Sequence, residues 1–135
     1  MSILGNRVLR KEDPKFLTTG GVYADDLQLN NTDDLDLEGA LYVTYVRSTM
    51  AHARVAALDT DEARKTPGVV DVVVGADIDL PPAPPMLPML NMAMTRPWLA
   101  TDVVRYVGEP VAAILSEDRA SGADAAELVF IDYEP

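Results

Sequence analysis

Val103–Asp118, VVRYVGEPVAAILSED, is the stretch that decides the fold. Val103, Val104 and Val107 load a first strand with β-branched side chains, and Val111–Leu115 forms a second, almost wholly apolar one. An apolar run without alternation predicts a strand covered on both faces. Between the two strands stand Gly108 and Pro110. Glycine permits positive φ and proline fixes its own φ without donating a hydrogen bond, so a tight corner is expected there. Ser116 then offers a helix N-cap, with Glu117 and Asp118 in a first turn whose dipole favours acids.

Working outward, residues 117–128 read as the main helix, with Ala120, Ala123 and Ala126 on its sheet-facing side. Gly122 should weaken that helix by about 1 kcal/mol relative to alanine. Val129, Ile131 and Tyr133 alternate with Phe130 and Asp132 as a last strand, after which the chain stops at Pro135. Upstream, Leu41, Val43 and Tyr45 alternate with Tyr42, Thr44 and Val46, and His52–Leu58 repeats the two-residue period. The link Arg47–Ala51 is too long for a two-residue hairpin, so a looser corner is expected. Asp59 or Thr60 caps a short helix that ends before Pro67, and Pro67-Gly68 turns the chain into the strand Val69–Val74. The order is β-β-α-β, a long loop, then β-β-α-β. This predicts an α+β (mixed α/β) fold, a mixed sheet with two helices.

Two segments lie outside that pattern. Residues 1–20 carry scattered charges, Pro14 and a Thr-Thr-Gly-Gly turn, and read as an extended arm. Tyr23–Leu29 is a candidate short strand, and Asn30–Glu38 an acidic loop. Residues 79–97 hold six of the ten prolines and four of the six methionines. Proline at that density resists helix and interior strand, yet Met86, Leu87, Met89, Leu90, Met92 and Met94 are apolar. Such a loop either folds back over its own sheet or docks on another protein surface. The second reading is favoured, because flexible methionine suits irregular interfaces.

At 135 residues, with 48 % hydrophobic and 24 % charged residues, the chain reads as one domain with one core. It has no cysteine, which excludes disulfides, thiolate catalysis and iron–sulfur ligation in this chain, and its one histidine excludes a histidine-rich metal site. The net charge of −11 repels phosphate backbones, so no nucleic-acid partner is expected. No apolar run approaches the ~20 residues of a spanning helix, and no signal sequence opens the chain, so a cytoplasmic setting is expected.

Catalytic apparatus is hard to find. No serine sits in a recognisable nucleophile elbow to work with His52, and a hydrolase based on that histidine is the weakest reading. Gly20-Gly21 is too short for a phosphate cradle. Asp25-Asp26 and Asp33-Asp34 fit a solvated acidic loop better than a cation site. Glu109 reads as a corner residue rather than a general acid. Arg47, His52 and Arg54 form one clustered polar corner, able to fix a neighbouring domain or an anion or simply to form surface salt bridges. No catalytic, cofactor or metal residue is assigned, and the candidate interface is Arg47, His52, Arg54, Met86, Met89, Met92 and Met94.

Five blocks in order then carry a family resemblance: RKEDPKFLTTGGVYADDL (10–27), RSTMAHARV (47–55), PGVVDVVVGADI (67–78), VRYVGEPVAAILSED (104–118) and AAELVFIDYEP (125–135). Together they resemble the N-terminal α/β hammerhead domain of the large, molybdopterin-binding subunit of molybdenum hydroxylases, the group of aldehyde oxidases, xanthine dehydrogenases and aerobic carbon monoxide dehydrogenases. Thr19 and Thr49 depart from the usual glycine and proline, both at turns. The resemblance implies a hammerhead fold and a non-catalytic structural and docking role. It implies that residues 1–135 are one domain cut from a longer subunit, whose later domains hold the molybdenum–molybdopterin cofactor. Partner subunits or domains would carry [2Fe-2S] and FAD, and the parent enzyme would oxidise an aldehyde, a purine or carbon monoxide. The alternative is a free-standing interaction module that reuses the fold.

Overall fold

The structure, a computed structural model, describes residues 10–18, 20, 39–87 and 89–135. They belong to two units, residues 1–40 and 41–135. In the first unit the expected extended arm contains a short helix, α1 (Asp13–Thr18). Pro14 is tolerated there because the first turn has no use for its missing N–H, and Asp13 suits the positive helix end. The Thr18 hydroxyl closes the helix by donating to the Pro14 carbonyl at 2.6 Å. The candidate strand 23–29 and the acidic loop 30–38 lie outside the described residues.

The second unit carries β1 (Tyr42–Arg47), β2 (Ala53–Asp59), α2 (Asp61–Arg64), β3 (Val69–Val74), β4 (Val103–Val104), β5 (Pro110–Ser116), α3 (Arg119–Glu127) and β6 (Phe130–Glu134). The β-β-α-β repeat and the α+β class stand. The single mixed sheet does not. Instead the described residues form two three-stranded sheets, ordered β1-β5-β3 and β4-β2-β6, in which every pairing is antiparallel. Sequence neighbours therefore part company: β1 and β2 lie in different sheets, and so do β4 and β5. Patterning sets which face of a strand is apolar, not which strand it pairs with.

Each sheet has its own core. Ala63, Val72, Ala112, Ile114 and Ala125 fill the first, between the β1-β5-β3 sheet and the helices. Ala53, Ala100, Val104 and Val111 fill the second, with Val55, Leu58, Ile131 and Tyr133 packed against them. β5 serves both, giving Val111 to one core and Ala112 and Ile114 to the other, which accounts for its unalternating run.

Helix α3 differs from its sequence reading in two ways. Ser116 ends β5, where its hydroxyl donates to the Asp118 carbonyl at 2.7 Å. Asp118 is the N-cap and accepts from the Ser121 N–H at 2.9 Å. The buried face is Gly122 and Ala125; Ala120 and Ala123 are exposed. A Cβ on Gly122 would stand 2.6 Å from Thr44 Oγ1 and 2.7 Å from Ser116 Oγ. The glycine lets the helix approach β1 and β5 closely, a gain that outweighs its poor helix propensity.

Candidate functional site

Of the five crossings between the sheets, those from β1 to β2 and from β4 to β5 pass through one place. The chain leaves β1 through residues 48–52 and returns from β4 through 105–109. Ser48 N–H donates to the Glu109 carbonyl at 2.9 Å, and Gly108 N–H donates to the Ser48 carbonyl at 2.8 Å. The Arg47 guanidinium donates to the Gly108 carbonyl at 3.0 Å. Ser48 Oγ donates to the Met50 carbonyl at 2.9 Å. Gly108 has φ 89°, the positive value expected of it. Glu109 is 4 % exposed, and its carboxylate accepts from the Arg105 N–H, so it secures the corner. The short strand β4, which ends at Val104 rather than Val107, follows from this: residues 105–108 are spent on the turn.

Arg47 also lies over the Tyr45 ring, 5.3 Å from its centroid, a cation–π contact. His52 and Arg54 flank buried Ala53 and are exposed. The register places Arg54 opposite Val103 and Glu134, so it faces outward on the β4-β2-β6 sheet. Arg47 joins the twin corner, whereas His52 and Arg54 lie on the neighbouring sheet surface. Next to Arg47 a cleft of about 340 Å³ runs between β1 and β6, lined by Val46, Thr49, Val129, Phe130, Ile131 and Tyr133. The Tyr133 hydroxyl is buried without a hydrogen-bond partner among the described residues. Nothing in the sequence singled out Tyr133 beyond its place on the inward face of β6; a tyrosine in an apolar alternation is the one available signal.

The proline–methionine loop is a neck with an uncovered tip. Ala83 and Arg96 exchange backbone hydrogen bonds of 2.8 and 3.1 Å, and Trp98 Nε1–H donates to the Pro81 carbonyl at 3.0 Å. Below the neck, Leu99 and Ala100 are buried, and Ala100 N–H reaches the Pro110 carbonyl at 2.8 Å. A Cβ on Gly75 would meet Thr101 Cγ2 at 2.5 Å and the Leu99 carbonyl at 2.9 Å, so this glycine lets the neck lie against the end of β3. Above the neck, Met86, Met89, Met92 and Met94 are 92, 86, 65 and 59 % exposed. The loop does not fold its methionines back over its own sheet. A second apolar surface lies on the sheet face turned away from the helices, where Val43, Tyr45 and Val70 are exposed. Paired with Leu115 and Ala113 of β5, Val43 and Tyr45 make a continuous strip that the sequence reading did not single out.

Among the described residues no three His, Asp or Glu side chains come close enough to share a metal ion. None of their helices is long and apolar enough to cross a membrane.

Comparison with known proteins agrees with this architecture. The family described as aldehyde oxidase and xanthine dehydrogenase, a/b hammerhead domain, matches residues 20–135. The large subunit of nicotine 6-hydroxylase from Paenarthrobacter nicotinovorans is 40 % identical over 98 % of this chain and 16 % of its own length. The large chain of carbon monoxide dehydrogenase from Afipia carboxidovorans is 36 % identical over 98 % of this chain and 15 % of its own. Among solved structures, quinoline 2-oxidoreductase from Pseudomonas putida superposes with a TM-score of 0.78 at 37 % identity, over 96 % of this chain and 16 % of that one. Carbon monoxide dehydrogenase from Oligotropha carboxidovorans superposes with a TM-score of 0.79 at 35 % identity, over 97 % and 15 %. The chain thus spans about a sixth of the length of these relatives. With two three-stranded sheets joined at a twin corner and this match along nearly its whole length, the chain belongs to the aldehyde oxidase and xanthine dehydrogenase family, as an α/β hammerhead domain.

Proposed function

We propose that this chain is a non-catalytic structural and docking domain of a molybdenum-cofactor oxidoreductase. The observation that carries the reading is the uncharged, methionine-rich tip held out above a hydrogen-bonded neck. Exposed apolar surface of this kind costs free energy in water and is favoured only where another surface covers it. The apolar strip around Val43 and Tyr45 extends the same argument to a second contact area, and the exposed Arg47, His52 and Arg54 add a polar one.

The partners in this reading are the molybdopterin-binding domains of the same subunit and, beyond them, iron–sulfur and FAD subunits or domains of a cytoplasmic assembly. Residues 1–135 form one hammerhead domain of that longer subunit. In this reading no chemical step is assigned to this chain, and the oxidation of an aldehyde, a purine or carbon monoxide belongs to the parent enzyme.

The test replaces residues 84–95 with Asn-Gly, a two-residue turn suited to the Ala83–Arg96 pair. The domain should keep its melting temperature, while the full-length subunit carrying the same change should assemble less well with its partners. A collapse of the isolated domain, or unaltered assembly, would overturn the docking role. An in-frame stop codon directly after Pro135 would favour the free-standing interaction module instead.

A further inference from the structure

A docking role suits an apolar loop with flexible methionines in it, and the same methionines bring a second chemistry, that of the thioether sulfur. Leu80, Leu87 and Leu90 already supply aliphatic surface in the same segment. Four of the chain's six methionines fall within nine residues, at Met86-x2-Met89-x2-Met92-x-Met94. The chain has no cysteine, so methionine thioethers are its sole sulfur donors.

The setting of these four side chains is specific. From Leu80 to Thr95 there is no charged residue and no histidine, in a chain of net charge −11. The neck at Ala83 and Arg96 closes the segment into a ring. Within it two successive turns coil the backbone: Leu90 N–H donates to the Leu87 carbonyl at 3.0 Å, and Met94 N–H to the Asn91 carbonyl at 2.9 Å. Asn91 Oδ1 accepts from the Ala93 N–H at 2.9 Å and caps the single 3₁₀ turn Met92–Met94. Proline-stiffened, coiled backbone lowers the entropy lost when several side chains gather on one ligand. Methionine has three rotatable bonds and a polarisable sulfur, so its reach adapts to a single centre.

We propose that the loop is a soft-metal site, in which the thioethers of Met86, Met89, Met92 and Met94 bind one Cu(I) ion. Thioether ligands select soft Cu(I), whereas calcium and magnesium require oxygen ligands and zinc favours thiolate, imidazole or carboxylate. The loop offers none of those side chains. The surrounding negative charge, concentrated in residues 68–135, draws cations toward the loop, and the loop's neutral sulfurs discriminate among those that arrive. The site is separable from the docking role, because a leucine loop keeps an apolar surface and binds no metal.

The experiment uses chain 1–135 carrying ¹³C-methyl methionine, titrated with Ag(I) in chloride-free buffer as a redox-inert surrogate. The four loop methyl resonances should shift together and saturate at one ion per chain, while Met50, packed against the second core, stays in place. Cu(I), held reduced by ascorbate without air and in competition with a chromophoric chelator, should bind at the same site, and Zn(II) and Ca(II) should leave the spectrum unchanged. Replacing one methionine by leucine should weaken binding about tenfold, and replacing all four should abolish it with the melting temperature unaltered. No shift at equimolar Ag(I), independent titration of the four methyls, or equal binding by the all-leucine variant would overturn the proposal. Subunit assembly measured with the all-leucine variant separates this from the docking role: assembly should survive where metal binding does not.

Discussion

The twin corner and the proline–methionine loop are both irregular backbone, and they solve the same problem in opposite ways. At the corner, Ser48 and Glu109 are buried, and the two crossing segments satisfy each other's N–H and carbonyl groups. In the loop the backbone is tied at the neck, and the tip projects apolar side chains into water. Rigidity in a segment without regular structure thus depends on whether its polar backbone groups find partners inside the protein. The corner is built to hold two sheets at one angle. The loop leaves its apolar side chains exposed.

That contrast can be broken from the rigid side first. Gly122→Ala places a methyl group against Thr44 and Ser116, the close approach that seats α3 on the first sheet, and should cost about 2–3 kcal/mol in urea unfolding. Glu109→Ala leaves the Arg105 N–H without its buried acceptor and should cost about 2 kcal/mol in the same measurement. Gly108→Ala forces a side chain into φ 89° and should cost about 1 kcal/mol, with no steric clash adding to it. If either corner variant were silent, the corner would not be what holds the sheets.

A smaller effect sharpens the comparison through pH. Hydrogen bonds from the Ser121 N–H and hydroxyl to Asp118 hold its carboxyl below the usual carboxylate range. Because the folded pKa lies below the unfolded one, the stabilisation is complete above the ordinary carboxylate pKa of about 4. It is lost as pH falls through the lowered value. Melting temperature followed from pH 7 to pH 3 should therefore drop less steeply in Asp118→Asn than in the parent chain. The least change belongs to the loop: Met86→Ser with Met89→Ser should alter unfolding free energy by under about 0.5 kcal/mol, since neither side chain is buried. A loss of 2 kcal/mol there would show that the tip packs on its own domain.

Much of this architecture was legible because local chemistry and global structure agree. Val69–Val74 spans the residues its β-branched run predicted, and Gly108 adopts the positive φ its place before Glu109-Pro110 implied. Tyr42, Thr44 and Val46 face inward as two-residue alternation requires. The helix face was misread because small residues look alike in sequence: alanine spacing pointed to Ala120 and Ala123, while the tight contact needed Gly122 with no side chain at all. Ser116 lost the cap to Asp118 because β5 runs through it to complete the pairing with Tyr42 and Val69.

In the candidate site, the exposure of Met86, Met89, Met92 and Met94 follows from prolines that keep their segment out of either sheet. Arg47 could be seen as a polar corner residue, but its bond to Gly108, sixty-one positions away, could not. Over residues 41–135 the sequence by itself determined strand and helix order and the turn positions, because each depends on short-range propensity and on the periodicity of side chains along one chain. Five ordered blocks carried the resemblance to the family. Helix α1, in a segment that reads as an extended arm, was missed. Only the tertiary structure decided that the described residues form two antiparallel sheets rather than one mixed sheet, and that a buried glutamate and a tyrosine hydroxyl with no hydrogen-bond partner among those residues flank their junction. Those outcomes depend on which distant backbone edges meet, and alternation along a strand says nothing of the strand beside it.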